Sequence, residues 1–424
     1  MSAPSEGASG DGISSRRDFV AAIGAAGAMH TMFGQGRVAL APTWTAAGRY
    51  ASEPNVLGDF LFEQGLIYLN TAALGPAPRQ VLDRTMHVWR ELESNPSELG
   101  YGRLEHDMDD VRATAARFIG CETTELILTH STTDGMNTVA QGLRLTAGDR
   151  VLTSDQEHPG GVSCWKYLAR RESISLDVVP ITVDEHNTAY IVDRFAAAMT
   201  PRTRVSSVSH VLTSTGMRMP IAELSALARR NGALCIVDGA QAVGGIAVNV
   251  KALGCHAYAT SGHKWLMGPK GTGFLYLAAE TKGIVDPMVL EDGHAAYSAS
   301  SGIGSIPSVM GLGAALDLAT QTGVAEVERR GVRLRDVLYE SLRTVARVQI
   351  VSPPPGPLTA PFLTMRLPDH VESGALRERL RAKHAIVVKV VPKVWLNGLR
   401  VSTHVFNTER EVAMFVSALQ EELA

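Results

Sequence analysis

Lysine is scarce in this chain, so the positions it occupies carry weight. Of the 40 basic residues in the 424-residue sequence, only eight are lysine: Lys166, Lys251, Lys264, Lys270, Lys282, Lys383, Lys389 and Lys393. Lys264 has the most unusual setting, Thr260-Ser261-Gly262-His263-Lys264-Trp265, followed by the glycine-rich turn Gly268-Pro269-Lys270-Gly271-Thr272-Gly273. A lysine that follows an apolar strand among small hydroxyl residues and rings is partly desolvated, which lowers its pKa and makes the amine a usable nucleophile; a surface lysine is the plainer reading. Upstream by 26 residues, Asp238 ends the apolar run Leu234-Cys235-Ile236-Val237. A carboxylate at the edge of a core needs a cation or hydrogen-bond donors. A helix cap, a metal-ligating aspartate and a partner for a protonated pyridine nitrogen all satisfy that need. Earlier still, His130-Ser131-Thr132-Thr133-Asp134-Gly135 separates a strand from a helix. Hydroxyls and free N–H groups at a helix start hold an anion, and they also serve as ordinary N-caps.

Each motif alone is weak, but the order is specific. A phosphate cradle, then a carboxylate, then a lysine is what pyridoxal 5'-phosphate requires: the lysine binds the cofactor aldehyde, and the aspartate keeps the ring nitrogen protonated so that the ring accepts electrons from a substrate carbanion. From about Tyr68 to the C-terminus the chain resembles the class V aminotransferase family of fold-type I pyridoxal phosphate enzymes, most strongly over Asp238-Gly239-Ala240-Gln241 and Ser261-Gly262-His263-Lys264. The resemblance implies that Lys264 carries the cofactor, that Asp238 pairs the ring nitrogen and that Gln241 lies near the ring hydroxyl. Thr132, Thr133, Ser261 and His263 match phosphate contacts. His158, in Glu157-His158-Pro159, matches the residue stacked on the ring, and His210 a ring-side polar group. Gly304-Ser305 resembles the segment that reaches a neighbouring subunit's phosphate, so Ser305 and a homodimer are expected together. Arg400, in Asn397-Gly398-Leu399-Arg400-Val401-Ser402, resembles the family's substrate-carboxylate arginine, a planar bidentate clamp. Asn70, in Tyr68-Leu69-Asn70-Thr71-Ala72, resembles the pocket-lining N-terminal segment. The Tyr-Leu-Asn-Thr stretch and Ser209-His210-Val211-Leu212-Thr213-Ser214-Thr215-Gly216 are most similar to the isopenicillin-N-epimerase-like subgroup, which includes epimerases, C–S lyases and exported enzymes that tailor siderophore peptides. An enzyme acting at Cα of an amino acid or peptide is therefore expected, with transamination and C–S cleavage as alternatives. Cysteine desulfurases need a reactive cysteine in the C-terminal part; the last cysteine here is Cys255, which argues against persulfide formation by that route.

These residues need a scaffold that brings strand ends together. Short apolar runs at 126–129, 150–153, 174–181, 203–211, 234–237, 257–260 and 273–277 alternate with helix-period segments at 136–145 and 220–230. In the last of these, Ile221, Leu224, Leu227 and Ala228 share one face, and Asn231-Gly232 is a stop. Such alternation predicts an α/β fold with a mostly parallel sheet covered by helices on both faces, whose ligands sit beyond the carboxyl ends of the strands. Past about residue 310 the pattern changes to long helices, strands near 348–351 and 362–367, and a last helix after Thr408, which predicts a smaller C-terminal α+β domain. The expected division is a signal segment (1–41), an N-terminal arm (42–70), a large cofactor-binding domain (71–308) and the small domain (309–424).

Composition narrows the function classes. Hydrophobic residues form 45% and charged residues 20% of the chain, with a net charge of −3. That balance excludes disorder over most of the chain and a global basic field for nucleic acid or anionic membrane. No G-x-G-x-x-G joins a first strand to a helix, as a dinucleotide site requires, and a DNA-binding regulator would need a helix-turn-helix module that the N-terminus does not provide. The four cysteines form no C-x-x-C pair, and no metal site is expected. Near the N-terminus, Ser15-Arg16-Arg17-Asp18-Phe19-Val20 precedes an apolar stretch of 11 residues, Phe19 to Met29, and a small-x-small site, Ala39-Leu40-Ala41. The stretch is too short for a transmembrane helix, which takes about 20 residues, and resembles a twin-arginine export signal. A mature, exported protein without a membrane span, starting near Pro42 and delivered by the twin-arginine machinery, is the expectation.

Overall fold

The computed structural model describes residues 60–286 and 304–424. The signal segment and the first part of the arm lie outside the described residues. Chain order is β1 (Ile67–Tyr68), α1 (Arg79–Ser94), α2 (Pro96–Gly100), α3 (Arg103–Ile119), β2 (Leu126–Thr129), α4 (Thr132–Gly142), β3 (Arg150–Ser154), α5 (Pro159–Arg171), β4 (Ser175–Val179), α6 (Thr188–Ala198), β5 (Thr203–Ser209), α7 (Ile221–Arg230), β6 (Leu234–Asp238), α8 (Val250–Leu253), β7 (Ala257–Ser261) and β8 (Gly273–Leu277). After the undescribed stretch come α9 (Ile306–Thr322), α10 (Val324–Leu342), β9 (Gln349–Ile350), β10 (Phe362–Arg366), α11 (Ser373–His384), β11 (Ile386–Val387), β12 (Lys389–Val390), β13 (Gly398–Ser402) and α12 (Glu409–Leu423).

Seven strands form one sheet in the order β2-β8-β7-β6-β5-β3-β4. Only β8 runs antiparallel to its neighbours; the remaining pairs are parallel. The strands are short and Val/Ile/Leu-rich because both faces are covered, as parallel sheets require. Val205, Ile236, Ala257 and Leu275 are fully buried against α4 and α5 on one side, while Val208, Val237, Cys235 and Tyr258 face the helices of the other. In α7 the expected stripe of Ile221, Leu224, Leu227 and Ala228 is buried, each large side chain contributing about 1.5–3 kcal/mol by leaving water. Pro220 caps this helix from just outside it.

A second, four-stranded sheet has the order β12-β13-β10-β9, and β1 pairs with β11 in a separate parallel pair. Its apolar face packs on α10, α11 and α12 through Leu338, Leu380, Leu399, Val401 and Phe415. The helix α9 does not follow this second sheet; it packs on α1 and α3. Residues 353–357, rich in proline, lie between β9 and β10 and form no regular element.

Candidate active site

The parallel register aligns the carboxyl ends of the central strands. Ser209 at the end of β5 pairs with Asp238 at the end of β6, and Asp238 with Ala259 of β7. The last residue of β7 is Ser261 and Lys264 follows it by three. A cavity of about 380 Å³ opens at this edge. It is lined by Thr132, Thr133, His158, Asp238, Gln241, Ser261, His263, Lys264 and Arg400. Nine of the twelve residues singled out from the sequence thus meet in one place, although they come from five separate segments.

Their environments differ. Lys264 is half-buried in the cavity wall, and burial brings its pKa down to about 8, against the opposing pull of the Asp238 charge and with Arg400 adding to the depression. Trp265 fixes the turn that carries it: the indole is stacked between Phe362 and His404, with ring centroids 5.9 and 5.7 Å away, and its Nε1 donates to Gln241 Oε1 at 2.9 Å. The Oδ1 of Asp238 accepts the Ala240 N–H at 2.9 Å, and its Oδ2 faces Gly161. A Cβ at Gly161 would stand 2.5 Å from that oxygen, so glycine is what leaves it room.

The helix α4 begins at Thr132, four residues earlier than the apolar pattern predicts, because Ser131 caps it by accepting the Asp134 N–H at 3.2 Å. The two threonines therefore stand in the first turn. The Thr132 N–H and hydroxyl both bond Ser261 Oγ at 2.9 Å, which ties the helix start to the end of β7. Nearby, the Nδ1 of His263 is buried without a partner; burial first, then the charges of Lys264 and Lys270, hold its pKa down. The positive end of a helix, clustered hydroxyls and an orphaned ring nitrogen suit a phosphate. His158 Nδ1 accepts the Gly160 N–H at 3.0 Å, capping α5, and burial together with the Lys264 charge keeps its imidazole pKa low.

Arg400 stands apart on β13. Its Nη1 donates to the Thr213 carbonyl at 3.0 Å and to Thr213 Oγ1 at 2.6 Å, and the guanidinium lies 5.3 Å from the centre of the Phe362 ring. Its Nε is buried without a partner, and burial lowers its pKa to about 10. Among the described residues no carboxylate forms an ion pair with it. An enclosed guanidinium without an acid is costly and is satisfied when an anion arrives.

Three expected residues do not line the cavity. His210 is buried beneath β5 and β6, where its Nδ1 meets the Tyr258 hydroxyl at 2.8 Å; burial takes its pKa to about 4. Asn70 precedes the lining residues Ala72 and Ala73, and its Oδ1 is buried without a partner. Ser305 stands just before α9 without capping its N–H groups, and its hydroxyl donates to Ser308 Oγ at 2.7 Å.

Several contributors were not foreseen. Thr213 orients both Arg400 and, at 3.3 Å, the amide of Gln241; its signal was a polar run directly after a buried strand. Glu157 is fully buried, bonded by Ser154 at 2.7 Å and Ser209 at 2.6 Å, and burial lifts its pKa to about 7. Lys389 and Trp395 line the outer wall.

Residues 67–415 match the aminotransferase class-V family. Isopenicillin N epimerase of Amycolatopsis lactamdurans is 32% identical over 375 residues, 83% of this chain and 94% of that protein. A probable cysteine desulfurase of Methanothermobacter thermautotrophicus is 28% identical over 386 residues, 84% of this chain and 94% of its own length. Among solved structures, a cystine C–S lyase in complex with its product, cysteine persulfide, superposes with a TM-score of 0.79 at 23% identity, covering 84% of this chain and 98% of the other. The orphaned His263 nitrogen, the helix start at Thr132, the unobstructed Asp238 oxygen and the half-buried Lys264 amine fit the phosphate, ring nitrogen and aldehyde of one cofactor. The chain belongs to the class V aminotransferase family of pyridoxal-phosphate-dependent enzymes.

Proposed function

We propose that the enzyme acts at Cα of an amino acid or amino-acid-containing peptide, in the manner of the isopenicillin-N-epimerase-like subgroup. The observation that carries this reading is the pairing, in one cavity, of a buried guanidinium that meets no carboxylate among the described residues with a half-buried amine of depressed pKa. Arg400 holds the substrate carboxylate bidentately and so fixes the Cα substituents relative to Lys264. The bound cofactor supplies an electron sink for the Cα carbanion. The Lys264 amine, near the pH of operation in basicity, takes the Cα proton and returns it. Thr132, Thr133, Ser261 and His263 hold the phosphate, and Asp238 holds a proton at the ring nitrogen. A proton delivered to Cα from the face opposite Lys264 would invert the centre, and the bound cofactor would supply the alternative acceptor that transamination requires.

A second reading, cleavage of a C–S bond, is favoured by the cysteine desulfurase relatives. Because no cysteine lines the cavity and burial pushes the Cys121 and Cys164 thiols up to about 12, sulfur would leave in a product and not on a protein thiol. The subgroup resemblance and Arg16-Arg17-Asp18-Phe19, ahead of the family match, support export by the twin-arginine machinery and a peptide or amino acid outside the cytoplasm as substrate. The Gly304-Ser305 segment supports a homodimer in which each subunit completes its neighbour's phosphate site.

The test is a titration of holoenzyme with D- and L-amino acids and short peptides, followed in the cofactor absorption band with product analysis. Inversion without net change, oxo-acid formation and sulfide release separate the three reactions. Arg400→Ala is expected to raise KM for carboxylate substrates about 10–100-fold, the worth of a charge-assisted hydrogen bond; unchanged KM rejects the clamp.

A further inference from the structure

The antiparallel pairing of β12 with β13 sets Lys389 directly opposite Arg400. Directly opposed residues project from the same face of a sheet with their Cβ atoms about 5 Å apart, and both side chains line the cavity. Among the described residues neither forms an ion pair with a carboxylate, whereas Lys251, Lys383 and Lys393 do. Among the described residues Asp238 is the only acidic one lining the cavity, against Lys264, Lys389 and Arg400. With the cofactor bound, Asp238 would serve its ring nitrogen and Lys264 would carry it or act as the neutral base. Two cations, Arg400 and Lys389, then face a substrate whose α-carboxylate satisfies one of them. Beside Lys389 the wall is apolar: Val390, Val391, Pro392 and Trp395. Trp395 is anchored by its Nε1 to the Asp155 carbonyl at 3.0 Å, so this wall is fixed to the large sheet. Lys389 is exposed at the mouth of the cavity, and partial burial of its side chain, and next the Arg400 charge, push its pKa down.

We infer that the cavity selects an amino acid, or a peptide residue, whose side chain ends in a second carboxylate, and that Lys389 is the specificity-determining residue that receives it. The methylenes between the two carboxylates lie along Val390, Val391 and Pro392. The inference rests on Arg400 as the site of the α-carboxylate.

The two ideas separate in one experiment on holoenzyme. Glutamate and glutamine, and aspartate and asparagine, are titrated against the cofactor absorption band of the wild type and of Lys389→Met and Lys389→Glu. The wild type is expected to half-saturate with the acidic member of a pair at about tenfold lower concentration than with its amide, the scale of a charge-assisted contact. In Lys389→Met that gap closes because the acidic ligand weakens while the amide does not change, and in Lys389→Glu the preference inverts. Equal half-saturation for acid and amide in the wild type overturns the inference and leaves the wider reading intact. So does an equal weakening of both ligands in Lys389→Met, which marks Lys389 as serving the cofactor or the fold. No band response to any amino acid, in any of the three proteins, rejects the Arg400 reading and the inference with it.

Discussion

Lys264 and Asp238 show how few atoms set the chemistry. Burial removes water from the lysine amine and disfavours its charged form; the aspartate charge opposes this without cancelling it, leaving a pKa of about 8. The neutral amine is the nucleophile, so its fraction grows as pH rises through about 8 and not above 10, where an ordinary lysine titrates. Apoenzyme reloaded with pyridoxal phosphate should therefore show an attachment rate that climbs with a midpoint near pH 8. In Asp238→Asn the supporting charge is gone, and the midpoint should move to lower pH. A midpoint that stays above 10 in the wild type would contradict the burial of the amine. The type of these residues was readable in the sequence because both end apolar strands, where a charge needs a reason. The partners were not: Thr213 and Glu157 act through contacts across 187 and 52 positions, and no local pattern encodes those distances. Lys389 was legible only as one of eight lysines, since its meaning depends on being opposite Arg400.

At the scale of elements, the site depends on close approach between segments far apart in sequence. Gly75 donates its N–H to the His263 carbonyl at 2.8 Å, and Lys270 Nζ reaches the Gly75 carbonyl at 2.9 Å. A Cβ at Gly75 would fall 1.9 Å from the Lys264 carbonyl oxygen. That oxygen belongs to the main chain and cannot swing away. Gly75→Ala should displace the lysine-bearing turn, lowering cofactor occupancy and kcat at least tenfold, while far-UV circular dichroism keeps the helix content of the wild type. Normal occupancy would show that the turn tolerates movement. The strands and helices themselves were largely legible: the seven strands of the large sheet fall on the apolar runs, and α7 on its expected face. Boundaries failed where a cap overrode hydrophobic period, as at Ser131, which draws α4 back to Thr132 and sets both threonines in its first turn.

At the scale of the whole molecule, Ser52–Ala424 forms one compact unit, and the arginine pair at 16 and 17 precedes it. If that pair is an export address, Arg16→Lys combined with Arg17→Lys should leave active, cofactor-loaded enzyme in the cytoplasmic fraction of the producing cell; normal export of the variant refutes the signal. The body has a further property that concerns time. The strand β1 has no neighbour until β11 exists, through Ile67 with Ile386 and Tyr68 with Val387, and the segment after β1 is held by Ser402, whose Oγ accepts the Ala72 N–H at 3.2 Å. Ala72 and Ala73 wall the cavity. A ribosome therefore exposes the first wall of the site some 300 residues before it makes the strands that hold that wall in place. The cavity is thus complete only in the finished chain, and a chain cut short before β11 would carry Lys264 in a cavity whose Ala72–Ala73 wall has lost the strands that hold it.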